Sequence, residues 1–138
     1  MGIQEFLQEL KALYLPRGEY AIFGSGPLAI RGIRKCNDLD IVVSAPLWEE
    51  LSSRYAPAGK KIKIGNLEFW HDWMPWFSPV EVAEIIASAE CIDDVSFAKL
   101  PYVIDLKKKM GREKDKRDLA LIDNYLKTHP EEVEEKPS

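Results

Sequence analysis

Cysteine is scarce in this 138-residue sequence, with Cys36 and Cys91 the only two. Two thiols cannot build the disulfide framework of a small secreted domain, and their spacing is not that of a zinc site. Reduced thiols in a cytoplasmic protein are the expectation. Long apolar runs are also missing: none approaches the roughly 18 residues that span a bilayer, and the start has no basic segment of the secretory kind. Phe6 stands where N-myristoylation favours Ser or Thr, so no membrane partner is expected. An excess of positive charge is lacking too. Nineteen Lys and Arg face 23 Asp and Glu, a net charge of -4, which argues against a protein that coats DNA. There is no internal repeat, and the acidic end is the single low-complexity stretch.

What is present is enough apolar material for a core, 46% of the residues. One domain over residues 1–130 is expected, followed by a disordered acidic tail over 131–138 that carries four Glu and one Lys. The charge is unevenly spread. Residues 107–117 hold seven Lys and Arg against two acids, a local +5 that suits one basic site facing a polyanion.

Ile3, Phe6, Leu7, Leu10 and Leu13 recur at helical spacing and predict a helix over 3–14, ended by Pro16-Arg17-Gly18. Tyr20 to Phe23 reads as a strand running into the tight turn Gly24-Ser25-Gly26, with a short helix from Pro27 to Ile33. Leu39 to Val43 is a second strand, rich in β-branched residues. A helix follows from Ser44 through about Tyr55, then a hairpin or bulged strand from Lys60 to Trp73 bent at Gly65-Asn66. Ser78-Pro79-Val80-Glu81 is a capping box that opens a helix from Pro79 to Ala89. Asp93 to Leu100 reads as a short strand and a turn. Helical periods return over 102–110 and 115–127, with Gly111-Arg112 as the break and His129-Pro130 as the stop. Strands and helices intermingle, so the class is α/β or α+β, a small mixed β-sheet flanked by helices.

Chemistry concentrates at Gly24-Ser25 and Asp38-Leu39-Asp40. Two Asp separated by one residue on a strand share a face, because strand side chains alternate, and Leu39, Ile41 and Val43 turn the other way, into the core. Carboxylates held that close repel unless a cation neutralises them, and hard oxygen donors select magnesium or manganese. The glycine turn offers backbone N–H groups and the Ser25 hydroxyl to a phosphate oxygen. A phosphate cradle beside paired carboxylates is what phosphoryl or nucleotidyl transfer needs.

Gly24-Ser25 followed at this distance by Asp38-x-Asp40 resembles the signature of the nucleotidyltransferase superfamily, the polymerase-β-like fold, in its small single-domain forms. Asp105-Leu106-Lys107, then Gly111-Arg112-Glu113-Lys114-Asp115 and Asp118, resembles a Leu-Lys…Gly-Arg-x-Lys-Asp-x-x-Asp segment of several such families. The two matches bracket about 100 residues in the order the families have them. The resemblance implies a nucleotidyltransferase-like fold in which Asp38 and Asp40 ligate Mg2+ (or Mn2+) that carries an NTP, ATP among them, while Gly24 and Ser25 hold its phosphates. It also implies a third carboxylate on a later strand, as metal ligand or as base. Glu68 and Asp72 are the candidates, and Glu68 is preferred because Leu67 and Phe69 leave it on the opposite, site-facing side. Lys107, Arg112 and Lys114 would lie near the triphosphate or the acceptor.

The activity so implied is transfer of a nucleoside monophosphate to the hydroxyl of a small molecule, RNA or protein, with release of pyrophosphate. An alternative is a weak or inactive module of the same fold, acting with a homodimer mate or a small helical partner protein, since 138 residues leave little room for an acceptor domain. A structural domain of unrelated fold is the third reading. Three side readings complete the inventory. His71 is a surface or packing residue in preference to a base. Trp70, Trp73, Trp76 and Phe77 pack together or stack on a nucleobase. Asp115 and Asp118 pair locally with Arg112 or Arg117.

Overall fold

A computed structural model describes residues 2–132. It is a mixed α/β domain built on a six-stranded mixed sheet with helices on both faces. The strands are β1 (Tyr20–Phe23), β2 (Leu39–Val43), β3 (Lys61–Ile64), β4 (Leu67–Trp70), β5 (Glu90–Ile92) and β6 (Val95–Phe97), in the spatial order β3-β4-β2-β1-β6-β5. β1 pairs antiparallel with β2, β2 parallel with β4, and β1 parallel with β6. Two antiparallel hairpins, β3-β4 and β5-β6, finish the edges.

The central strands are buried on both faces, which is why their sequences read as nearly unbroken apolar runs. Ile22, Leu39, Ile41, Val43, Leu67 and Phe69 pack on one side against Phe6, Leu7 and Leu10 of α1 (Ile3–Lys11) and against Leu47 and Leu51 of α3 (Ala45–Arg54). Ala21, Phe23 and Val42 face the other way. They meet Val82 and Ile85 of α4 (Pro79–Ala87), Val103 and Leu106 of α5 (Leu100–Met110) and Ile122 of α6 (Glu113–Thr128). A five-residue helix, α2 (Gly26–Ile30), follows the glycine turn. No helix among the described residues is long and apolar enough to cross a membrane.

Local chemistry explains where elements start and stop. Ser78 Oγ accepts from Glu81 N (3.2 Å) while Glu81 accepts from Ser78 N (3.0 Å), the reciprocal cap expected of that motif. Ser44 Oγ caps α3 through Leu47 N. The first helix is shorter than its periodicity: after Lys11 the backbone bonds tighten to three-residue spacing, and Tyr14 turns left-handed at φ 51°. α2 stops at Ile30 and α4 at Ala87, both earlier than predicted. The short strand expected after Asp93 is β6, and an unforeseen strand, β5, precedes it to make a hairpin whose two-residue turn is Asp93-Asp94, with φ of 54° and 66°.

The chain's last described turn, a 3₁₀ helix over Pro130–Glu132, is fastened to α2. Arg31 donates to Glu132 (2.8 Å), to Glu90 (2.6 Å) and to the Pro27 carbonyl (2.8 Å), and Tyr125 donates to Glu132. Of the expected acidic tail, Glu131 and Glu132 thus belong to this turn. The remainder, 133–138, lies outside the described residues.

Candidate functional site

The glycine turn and the acidic strand meet directly. Phe23, the last residue of β1, is the register partner of Asp40, so the chain leaves β1 beside that carboxylate. Gly24 has φ 66°, and a Cβ there would stand 2.9 Å from Asp40 Oδ2. A Cβ on Gly26 would fall 2.5 Å from Ile22 Cγ2, so α2 packs against β1 through the absence of a side chain. Gly24→Ala combines left-handed strain with a collision against a carboxylate. It should destabilise by about 1–2 kcal/mol, read as a lower urea midpoint at unchanged slope.

Asp40 and Glu68 are register partners on parallel strands and therefore share a face; Asp38 immediately precedes β2. Trp70 Nε1 donates to Asp40 Oδ1 (3.2 Å), and Lys61 Nζ donates to Glu68. Burial pushes the Asp40 carboxyl up to about 6, against the Trp70 hydrogen bond and with help from the charges of Asp38 and Glu68. Asp38 is also raised, by burial first and then by the neighbouring Glu68. The hydrogen bond to Glu68, reinforced by that carboxylate's charge, holds Lys61 above the ordinary lysine range.

Asp72 has other employment. It lies beyond β4, accepts from Met74 N (3.1 Å) and pairs with Lys60 (3.3 Å), its side chain half exposed. Of the two third-carboxylate candidates, Glu68 is the one beside Asp38 and Asp40. His71 Nδ1 meets the Val43 carbonyl at 3.0 Å and its ring stacks on Trp48, a packing arrangement.

A cleft of about 510 Å³ opens in front of Asp38 and Asp40; Glu68 lines neither it nor the adjoining lobe, whereas Asp72 lines that lobe. Gly24, Ser25, Asp38 and Asp40 line one side; Lys107, Arg112 and Lys114, from α5 and the start of α6, line the other. The two sequence segments singled out earlier are thus brought to one place. A contiguous aromatic lobe of about 330 Å³ shares Gly24, Asp40, Lys107, Arg112 and Lys114 and adds Trp70, Trp73 and Trp76. Trp73 also packs edge-on with Phe23 and Phe77, so the aromatic cluster is part core and part cleft wall.

The cationic side is itself tied down. Lys107 is buried, its Nζ 2.9 Å from Asp118 Oδ2 and 3.8 Å from Asp115 Oδ1. Arg112 pairs with Asp115 (2.6 Å), as the local-pairing reading had it. Asp118 does not pair with Arg112 or Arg117: α6 turns it toward α5 and the loop after α2, where it holds Lys107 and accepts from Arg34 at both oxygens (3.1 and 3.0 Å). Lys114 is exposed at the rim. Arg34 and Asn37, which also line the cleft, carry no motif that singles them out. Asp115 and Asp118 did have a signal: buried acids three apart on a charged helix lie on one face and need a cation opposite.

Asp38 and Asp40 with Glu68 alongside are a donor set of hard oxygens suited to a divalent cation. Among the described residues, no three His, Cys, Asp or Glu side chains are already drawn together as a metal cage, and Lys61 supplies positive charge at Glu68 instead. Compared with known proteins, the chain matches no family model, no curated protein and no solved structure.

Proposed function

We propose that the protein is a metal-dependent nucleotidyltransferase, moving a nucleoside monophosphate from an NTP to an acceptor hydroxyl. The observation that carries this reading is the direct apposition of Gly24 and Asp40 at a cleft whose far side is cationic. Asp38, Asp40 and Glu68 would hold magnesium or manganese, which when bound offsets the negative charge of the triphosphate. The Gly24-Ser25 turn meets the phosphates where a side chain would obstruct them. Arg112 and Lys114 add charge from the opposite wall, and Lys107 holds that wall in position through Asp118. The acceptor oxygen forms a bond to the α-phosphorus, the bond from that phosphorus to the bridging oxygen breaks, and pyrophosphate leaves. The hydroxyl proton passes to a carboxylate, with Glu68 the candidate.

Titration calorimetry with ATP, GTP, CTP and UTP, each with and without magnesium, tests the reading. Metal-dependent binding that Asp38→Asn and Asp40→Asn both abolish is the expected result. No nucleotide binding under any of these conditions removes the proposal. Binding without transfer of label to any small molecule, RNA or protein acceptor favours instead a regulatory module of the same fold. The prior engagement of Lys107 and Arg112 by acids supports that second reading.

A further inference from the structure

The β3-β4 hairpin places two lysines on the face of the sheet that carries the acids. Lys61 is opposite Trp70 and Lys63 opposite Glu68, and cross-strand partners share a face. The nearer partner by register is Lys63, yet it is Lys61 that reaches diagonally to Glu68. Its Nζ is also 5.7 Å from the centre of the Trp70 ring, whose Nε1 donates to Asp40. Lys61, Glu68, Trp70 and Asp40 therefore form one connected set of polar contacts at the edge of the cleft.

We propose that Lys61 is a displaceable internal counter-ion, neutralising Glu68 while no divalent cation is bound and releasing it when one arrives, so that Lys61 sets the affinity of the site for metal. This rests on the nucleotidyltransferase reading of the three carboxylates. The geometry identifies which partner moves. The Lys61 side chain is 37% exposed and that of Glu68 13%, so the ammonium has a path to solvent while the carboxylate is held by its strand. The Trp70 face gives the ammonium a resting place along that path. Even with Lys63 counted beside Lys61, two positive charges against three carboxylates leave the group negative, which keeps a dication attractive with Lys61 in place.

Competition between two cations for one carboxylate has a thermodynamic signature, because removing the resident one makes the other bind more tightly. Lys61→Met should lower the melting temperature in chelator and raise the affinity for Mn2+, added without nucleotide, about tenfold. Calorimetry gives the affinity and tryptophan fluorescence, through Trp70, gives an independent readout. Lys61→Arg keeps the charge and should stay within about threefold of wild type. Lys63→Met removes the same unit of charge from the same face without breaking a hydrogen bond to Glu68; its charge reaches Asp38 only at a distance, so its gain should be the smaller one, within about threefold. Equal or weaker Mn2+ binding by Lys61→Met, or an equal gain from Lys63→Met, overturns the counter-ion role and leaves the metal site standing. Absence of Mn2+ binding in wild type and in every variant overturns both.

Discussion

Asp40→Asn should stabilise the metal-free protein by about 2 kcal/mol at pH 7 while removing its response to magnesium and nucleotide. The carboxyl of Asp40 is pushed up to about 6 by burial and by its acidic neighbours, whereas an Asp in the unfolded chain ionises near 3.9. Between those two values the folded protein keeps a proton that the unfolded chain has lost. This group's contribution therefore falls as pH rises from about 4 to about 6 and stays low above that. A two-unit shift corresponds to about 3 kcal/mol, and partial solvent contact trims it. Asparagine cannot ionise, yet its Oδ1 still accepts from Trp70. Urea unfolding in chelator from pH 4 to 8 isolates the effect, because the difference between variant and wild type cancels the other titrating groups. The gap should be largest at pH 7 and close toward pH 4. A variant no more stable than wild type at pH 7 would show that the buried charge costs nothing.

The largest single loss should follow Asp118→Ala, about 3–4 kcal/mol by urea unfolding. Lys107 and Asp118 have side chains only 8% and 6% exposed, and the carboxylate also takes both bonds from Arg34. Removing it strands a buried ammonium, with Asp115 at 3.8 Å as the remaining acid. The double variant Lys107→Met/Asp118→Leu removes both charges and keeps apolar volume, so it should recover to within about 1 kcal/mol of wild type. If it is as unstable as the single variant, the loss comes from packing of α5 on α6 and not from an unpaired charge.

The parts of the fold legible in the sequence are those where one strong local signal decides. Tyr20 to Phe23 and Leu39 to Val43 are apolar runs too short for helices and bounded by turn residues, and they are the central strands. Ser78 and Glu81 state their own cap. Of the β5-β6 hairpin only β6 is legible, as Val95-Ser96-Phe97; β5 is hidden because Glu90-Cys91-Ile92 has no buried residue and no alternation of polar and apolar residues. At the site, alternation alone predicts that Asp38 and Asp40 are presented together and that Glu68 faces away from Leu67 and Phe69. Parity leaves Asp72 open; register settles which carboxylate neighbours Asp40. Lys61 was invisible because an alternating Lys-Ile-Lys-Ile stretch looks the same whether its lysines meet water or a carboxylate. Lys107 reads as a phosphate-facing charge in the sequence because periodicity cannot say which side of a helix another helix covers.

The strand order also divides the site by time. Asp38, Asp40, Glu68, the glycine turn and Lys61 all belong to the stretch from 24 to 68, whereas the cationic wall begins at Lys107. At about 5–20 residues per second, a ribosome delivers that wall about 2–8 seconds after Glu68. Over that interval Phe23 and Val42 have no α5 or α6 to cover them, and the acidic patch has none of its distal cations. The nascent sheet would be an apolar and negatively charged surface at once, but for Arg34 and the β3 lysines that emerge with it. Lys61 is synthesised seven residues ahead of the carboxylate it neutralises, so the acidic half of the site is born with a cation of its own.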